Sequence, residues 1–73
     1  MAKTNVKSEI AGKVWKIELN PGDTVAEDDP ILILESMKME IPVLAPISGT
    51  VVAIQVAEND AVKEGQIVAV VEG

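Results

Sequence analysis

Apolar residues recur along this chain on a two-residue period, in short runs that come in two sets. Ile17 and Leu19 alternate with polar neighbours, as do Ile54 and Val56, which is the period of a half-buried strand. Ile31–Leu34 and Ile67–Val71 are short continuous apolar runs, consistent with strands buried inside a sandwich. First strands are expected over Lys13–Leu19 and Thr50–Val56, opened by Gly12 and Gly49. The step from Val14 to Ile17, and again from Val51 to Ile54, is three residues, so a β-bulge in each strand is expected to turn all four inward. Asn20-Pro21-Gly22-Asp23 is a strong turn signal. Its counterpart Ala57-Glu58-Asn59-Asp60 is weaker, with Asn59 in the place of Gly22 and able to adopt the same positive φ. No long window carries a helical stripe. The chain reads as all-β.

The two sets are copies. A shift of 37 positions lays Ile10, Gly12, Val14 and Ile17 on Ile47, Gly49, Val51 and Ile54 without a gap. Asp23, Val25, Glu27 and Glu35 fall likewise on Asp60, Val62, Glu64 and Glu72. Two copies are too few for a solenoid, so the halves are expected to bury their apolar faces against each other within one domain, residues 1–73.

Between the halves, Ile31 to Ala45 contains no Gly or Asn and only Ser36 and Pro42 as turn formers. As one strand of roughly 15 residues it would run about 50 Å. A domain of this length has a radius of gyration of about 11 Å and a diameter nearer 30 Å. The segment must therefore fold back near its midpoint, which is Lys38 in Glu35-Ser36-Met37-Lys38-Met39-Glu40. That reversal would use residues that do not favour turns, and broken local rules cluster at functional or strained sites.

Composition narrows the chemistry. Hydrophobic residues form 48% of the chain and aromatics 1%, so β-branched and other aliphatic side chains must build the core. There is no cysteine, which excludes disulfides and thiolate metal sites and suits a reducing compartment. A net charge of −6 argues against nucleic acid and for a monomer. Neither a membrane span nor a secretory signal is evident, and a cytoplasmic location is the expectation. With no His, Cys, Tyr or Arg, little besides lysine and carboxylates can react. A nucleophilic lysine needs burial or neighbouring cations. Lys38 sits instead between Glu35 and Glu40 on a wet bend, so it reads as the substrate of another enzyme. Met37 and Met39, alternating about it where there is little core to fill, read as a docking face. The run Glu27-Asp28-Asp29 reads as a solvated turn more readily than as a metal site.

These residues resemble the biotin/lipoyl attachment domain family over nearly the whole chain. Glu35-Ser36-Met37-Lys38-Met39-Glu40 is similar to the Glu-Ala-Met-Lys-Met signature of biotinyl domains, with Ser36 where Ala is usual. Gly22-Asp23-Thr24-Val25 resembles the family's Gly-Asp-x-Val turn, and Ala45-Pro46-Ile47-Ser48-Gly49-Thr50-Val51 its Ala-Pro-x-x-Gly-x-Val element. The resemblance implies a flattened β-barrel or sandwich (a barrel-sandwich hybrid) of two four-stranded antiparallel sheets related by a pseudo-twofold axis. It implies covalent biotin on Lys38, loaded by a biotin protein ligase, and flanking recognition by Met37 and Met39. Glu35, Ser36 and Glu40 form the hairpin context. The carrier would shuttle carboxybiotin between biotin carboxylase and carboxyltransferase sites, itself no enzyme.

The gapless repeat leaves no room for the protruding thumb of some carrier subunits. The chain resembles the thumbless domains, either free-standing or excised from a longer protein. Two alternatives stand beside this reading. One is a lipoyl carrier, or a dual acceptor of biotin and lipoate, serving 2-oxo acid dehydrogenase-type complexes; lipoyl tips usually read Asp-Lys-Ala. The other is an unmodified structural or adaptor module.

Overall fold

The computed structural model describes residues 2–73. Eight strands account for its regular structure: β1 (Lys3–Lys7), β2 (Gly12–Ile17), β3 (Thr24–Val25), β4 (Pro30–Ser36), β5 (Met39–Leu44), β6 (Gly49–Ile54), β7 (Ala61–Val62) and β8 (Ile67–Glu72). They form two four-stranded sheets in the orders β1-β8-β6-β3 and β5-β4-β2-β7, antiparallel throughout. The repeat carries each sheet onto the other: β1 onto β5, β2 onto β6, β3 onto β7 and β4 onto β8. The Cα radius of gyration is 11.1 Å and the longest extent 36 Å, too short for the unbroken strand that the segment before Ala45 would otherwise form.

The same symmetry runs through the backbone hydrogen bonds. Gly22 N–H donates to the Val51 carbonyl and Asn59 N–H to the Val14 carbonyl, both at 2.7 Å. The Asp23 carboxylate accepts from Asn20 N–H at 2.8 Å, and the Asp60 carboxylate from Ala57 N–H at 2.9 Å. Asn59 adopts φ 77° where Gly22 adopts φ 98°, the conformation that its place in the repeat allowed. The expected bulges are present too. Register slips between Val14 and Lys16 against β4, and between Val51 and Ala53 against β8. Trp15 and Val52 are the extra residues, and Val14 and Val51 on the buried side are fully enclosed.

The core is aliphatic and symmetric. Its buried members fall into pairs: Val6 with Val43, Val14 with Val51, Val25 with Val62, Ile31 with Val68, Leu32 with Ala69, and Leu34 with Val71. The seventh pair, Ser8 with Ala45, is the one polar exception, and the Ser8 hydroxyl bonds the backbone of Ile10. Fully burying a side chain of this kind contributes roughly 1.5–3 kcal/mol, so the matched pairs supply most of the drive that holds the sheets face to face.

Three features differ from the sequence expectation. β1 is a full strand paired with β8, although its sequence is polar apart from Val6. β2 and β6 end at Ile17 and Ile54, not at Leu19 and Val56. Glu18 N–H and Leu19 N–H both reach the Ile31 carbonyl, which bends the chain out of the ladder. Finally, Asp28 at φ 72° is the mate of Gly65 at φ 84°, a second left-handed pair.

Candidate attachment site

Strands β4 and β5 form a hairpin whose last ladder pair is Ser36 with Met39. Only Met37 and Lys38 remain to turn the chain, and both are left-handed, at φ 52° and 65°. Two consecutive positive φ values define the tight turn whose twist matches that of the flanking strands, and it ordinarily favours Asn-Gly. Here it is built from Met-Lys, two side chains that pay a steric penalty in that region. The ladder behind it imposes the geometry. Leu32, Leu34 and Val43 are buried, and a one-residue slip would turn all of them outward.

The tip presents its side chains to solvent. Met37 is 91% exposed, and Lys38 and Met39 are exposed beside it. Among the described residues the ion pair present is Lys16 with Glu18, at 3.7 Å, so no carboxylate holds the Lys38 amine. Glu35 and Glu40 face each other directly across the ladder, and Glu35 also lies opposite Lys13 on β2. Like charges so placed repel, and Lys13 offsets part of that repulsion. Ser36 is half-buried above Gly12. A Cβ at Gly12 would lie 2.9 Å from the Glu35 carbonyl oxygen and 3.5 Å from Ser36 Cβ, so this glycine lets β2 approach the base of the hairpin.

All six residues singled out from the sequence are therefore together on one hairpin, with the amine at its apex. The Glu27-Asp28-Asp29 run forms a turn, in which the Asp29 carboxylate accepts from Ala26 N–H at 3.0 Å. Sequence reading gave no role to Ile41, Leu44, Lys7 and Glu9, which line a cleft beside β5. The signal available was a contrast between the halves, since the mates of Ile41 and Glu9 are Thr4 and Pro46.

Comparison with known proteins agrees with this geometry. The family model described as Biotin-requiring enzyme matches residues 3–71. The chain is 39% identical over 67 residues to the biotinylated protein TB7.3 homolog of Mycobacterium leprae, covering 92% of this chain and 94% of that one. It is 42% identical over 62 residues to a biotin/lipoyl attachment protein of Bacillus subtilis, covering 85% of each. Among solved structures, the Kluyveromyces lactis urea carboxylase superposes with a TM-score of 0.93 at 36% identity, over 99% of this chain and 6% of that one. Two matched sheets, a lysine at the apex of their hairpin and a family match along almost the full length lead to one assignment: the chain belongs to the biotin/lipoyl attachment family.

Proposed function

We propose that this protein is a biotin carrier whose prosthetic group is joined to Lys38 Nζ through an amide. The observation that carries the reading is the position of Lys38: second residue of a two-residue left-handed turn, exposed, and beside a methionine that is 91% exposed. The residues fit such a group. Acylation needs a primary amine that no carboxylate holds, on a support stiff enough to present it to an enzyme, and the β4–β5 ladder is that support. Biotin, once bound, supplies a ureido nitrogen that accepts and gives up a carboxyl group.

The protein contributes position and mobility. A rigid acidic body keeps the arm at high effective concentration near successive active sites, so the group is never released between them. The chain is accordingly a component of a biotin-dependent carboxylase and not a catalyst. Matches to carboxylase subunits support this, among them the methylcrotonoyl-CoA carboxylase alpha subunit of Dictyostelium discoideum at 38% identity, of which this chain covers 9%. The finer assignments belong to the same proposal: loading by a biotin protein ligase, service to separate carboxylase and carboxyltransferase sites, a monomeric state and a cytoplasmic location. Met37 and Met39 offer the ligase an apolar grip on each side of the amine.

Lipoate attachment is not favoured: relatives named for a single modification are biotinylated or biotin-carrying, and the Bacillus subtilis relative is named for biotin and lipoyl together. An unmodified adaptor gives no use to an exposed Met-Lys-Met in a strained turn. The test is the intact mass of the protein isolated from its own host. A biotin increment that maps to the Lys38 peptide supports the carrier reading, whereas a lipoyl increment or an unmodified chain contradicts it.

A further inference from the structure

The two halves match in their core but not along one edge. On β5, Met39, Ile41 and Val43 alternate on the face turned toward the opposite sheet. Exposure falls along them from 62% at Met39, through half-buried Ile41, to 8% at Val43. The symmetry mates are Ala2, just before β1, and Thr4 and Val6 on it, which form no such apolar track. The track beneath Lys38 leads to a cleft of about 180 Å³ between β5 and the segment following β1. Its walls include Ile10, Leu34, Ile41 and Leu44, with Lys7 and Glu9 exposed at its rim. Neither Lys7 nor Glu9 is in an ion pair among the described residues. Their mates are Leu44 and Pro46, so the charged rim also lacks a counterpart in the other half.

We propose that this cleft is a resting site for the biotin ring carried on Lys38. The inference rests on the carrier reading above and adds a binding site to it. The fused ring has an apolar sulfur-containing face and a ureido edge with two N–H donors and one carbonyl acceptor. Ile10, Ile41 and Leu44 match the first; the Glu9 carboxylate accepts from a ureido N–H and the Lys7 ammonium donates to the carbonyl. The arm reaches the near wall of the cleft. Ile41 lies three positions from Lys38, about 10 Å along a strand. A lysine side chain extended by the acyl chain of biotin spans about 12 Å with bonds near 1.5 Å. A short tether gives an effective concentration on the order of millimolar, so millimolar intrinsic affinity holds the ring about half of the time. Such a site covers the apolar ring between visits and yields it to any partner that binds it more tightly.

The test compares isotope-labelled protein before and after ligase treatment by heteronuclear NMR, with the intact mass taken first. On protein carrying one adduct, resonances of Glu9, Ile10, Ile41 and Leu44 are expected to shift together with those of Met37–Met39. The double variant Ile41→Thr/Leu44→Lys copies the residues that the fold accepts at the mate positions. It is expected to confine the shifts to the turn and to raise the rate of capture by streptavidin about twofold. Glu9→Ala, on the surface, is expected to weaken the cleft shifts without disturbing the core. Shifts restricted to the turn in the loaded wild-type protein, or equal capture rates for wild type and double variant, overturn the resting site while leaving the carrier reading intact. Absence of any adduct overturns both.

Discussion

Replacing Met37-Lys38 by Asn-Gly is expected to make the domain more stable while removing its acceptor. Both positions are left-handed, at φ 52° and 65°, and neither native residue favours that region. A non-glycine residue held there costs roughly 1–2 kcal/mol. Asn and Gly relieve most of this, and the extra freedom of Gly in the unfolded chain gives back roughly 0.5–1 kcal/mol. Over the two positions the net gain is about 1–3 kcal/mol. A domain of this size gains about 4–8 °C in Tm per kcal/mol, so the midpoint should rise by about 4–24 °C. Thermal melts of unmodified wild type and variant by circular dichroism provide the measurement. Urea titration adds a check, since a pure stability change moves the midpoint and leaves the slope alone. An unchanged or lowered Tm would show that the tip is not strained, and that the ladder does not hold Met-Lys in a turn those residues disfavour.

The glycines beneath the ladder ends give a graded expectation. A Cβ at Gly49 would run into the Glu72 carbonyl oxygen and lie 2.7 Å from its carbon and 2.9 Å from Gly73 Cα, all backbone, whereas at Gly12 the nearest atom, the Glu35 carbonyl oxygen, is 2.9 Å away. Gly49→Ala should therefore lower stability by about 3 kcal/mol and Gly12→Ala by about 1 kcal/mol, within the range for overpacking; denaturant midpoints in the reverse order contradict the close approach. Glu40→Lys places a cation opposite Glu35 and should raise the urea midpoint by an amount equivalent to roughly 0.2–1 kcal/mol. A fall in that midpoint would show that the facing carboxylates do not repel.

Much of this fold was legible because the repeat states each rule twice. The bulges at Trp15 and Val52 followed from a three-residue apolar step present in both halves, and the alignment of Asn59 with Gly22 left the same turn open to it. The hairpin tip was legible by exclusion: the segment is longer than the molecule, and its centre is Lys38. β1 was not legible. Lys3-Thr4-Asn5-Val6-Lys7 has one buried apolar residue, and its strand conformation comes from pairing with β8, a tertiary partner far away in the sequence. The cleft beside β5 was hidden for a related reason. Ile41 and Leu44 look like ordinary strand residues until the packing shows that Lys7 and Glu9 close over the same space. Tertiary placement also explains the early ends of β2 and β6, because no local signal at Glu18 marks the Ile31 carbonyl as its partner.

The most direct measurement of the central claim is peptide-resolved mass spectrometry of the purified protein after incubation with a biotin protein ligase, biotin and ATP. One adduct is expected, on Lys38 alone, with Lys3, Lys7, Lys13, Lys16 and Lys63 untouched and the Lys38→Arg variant unlabelled. Label on the Lys38→Arg variant, or none on the folded wild-type protein, would contradict the account.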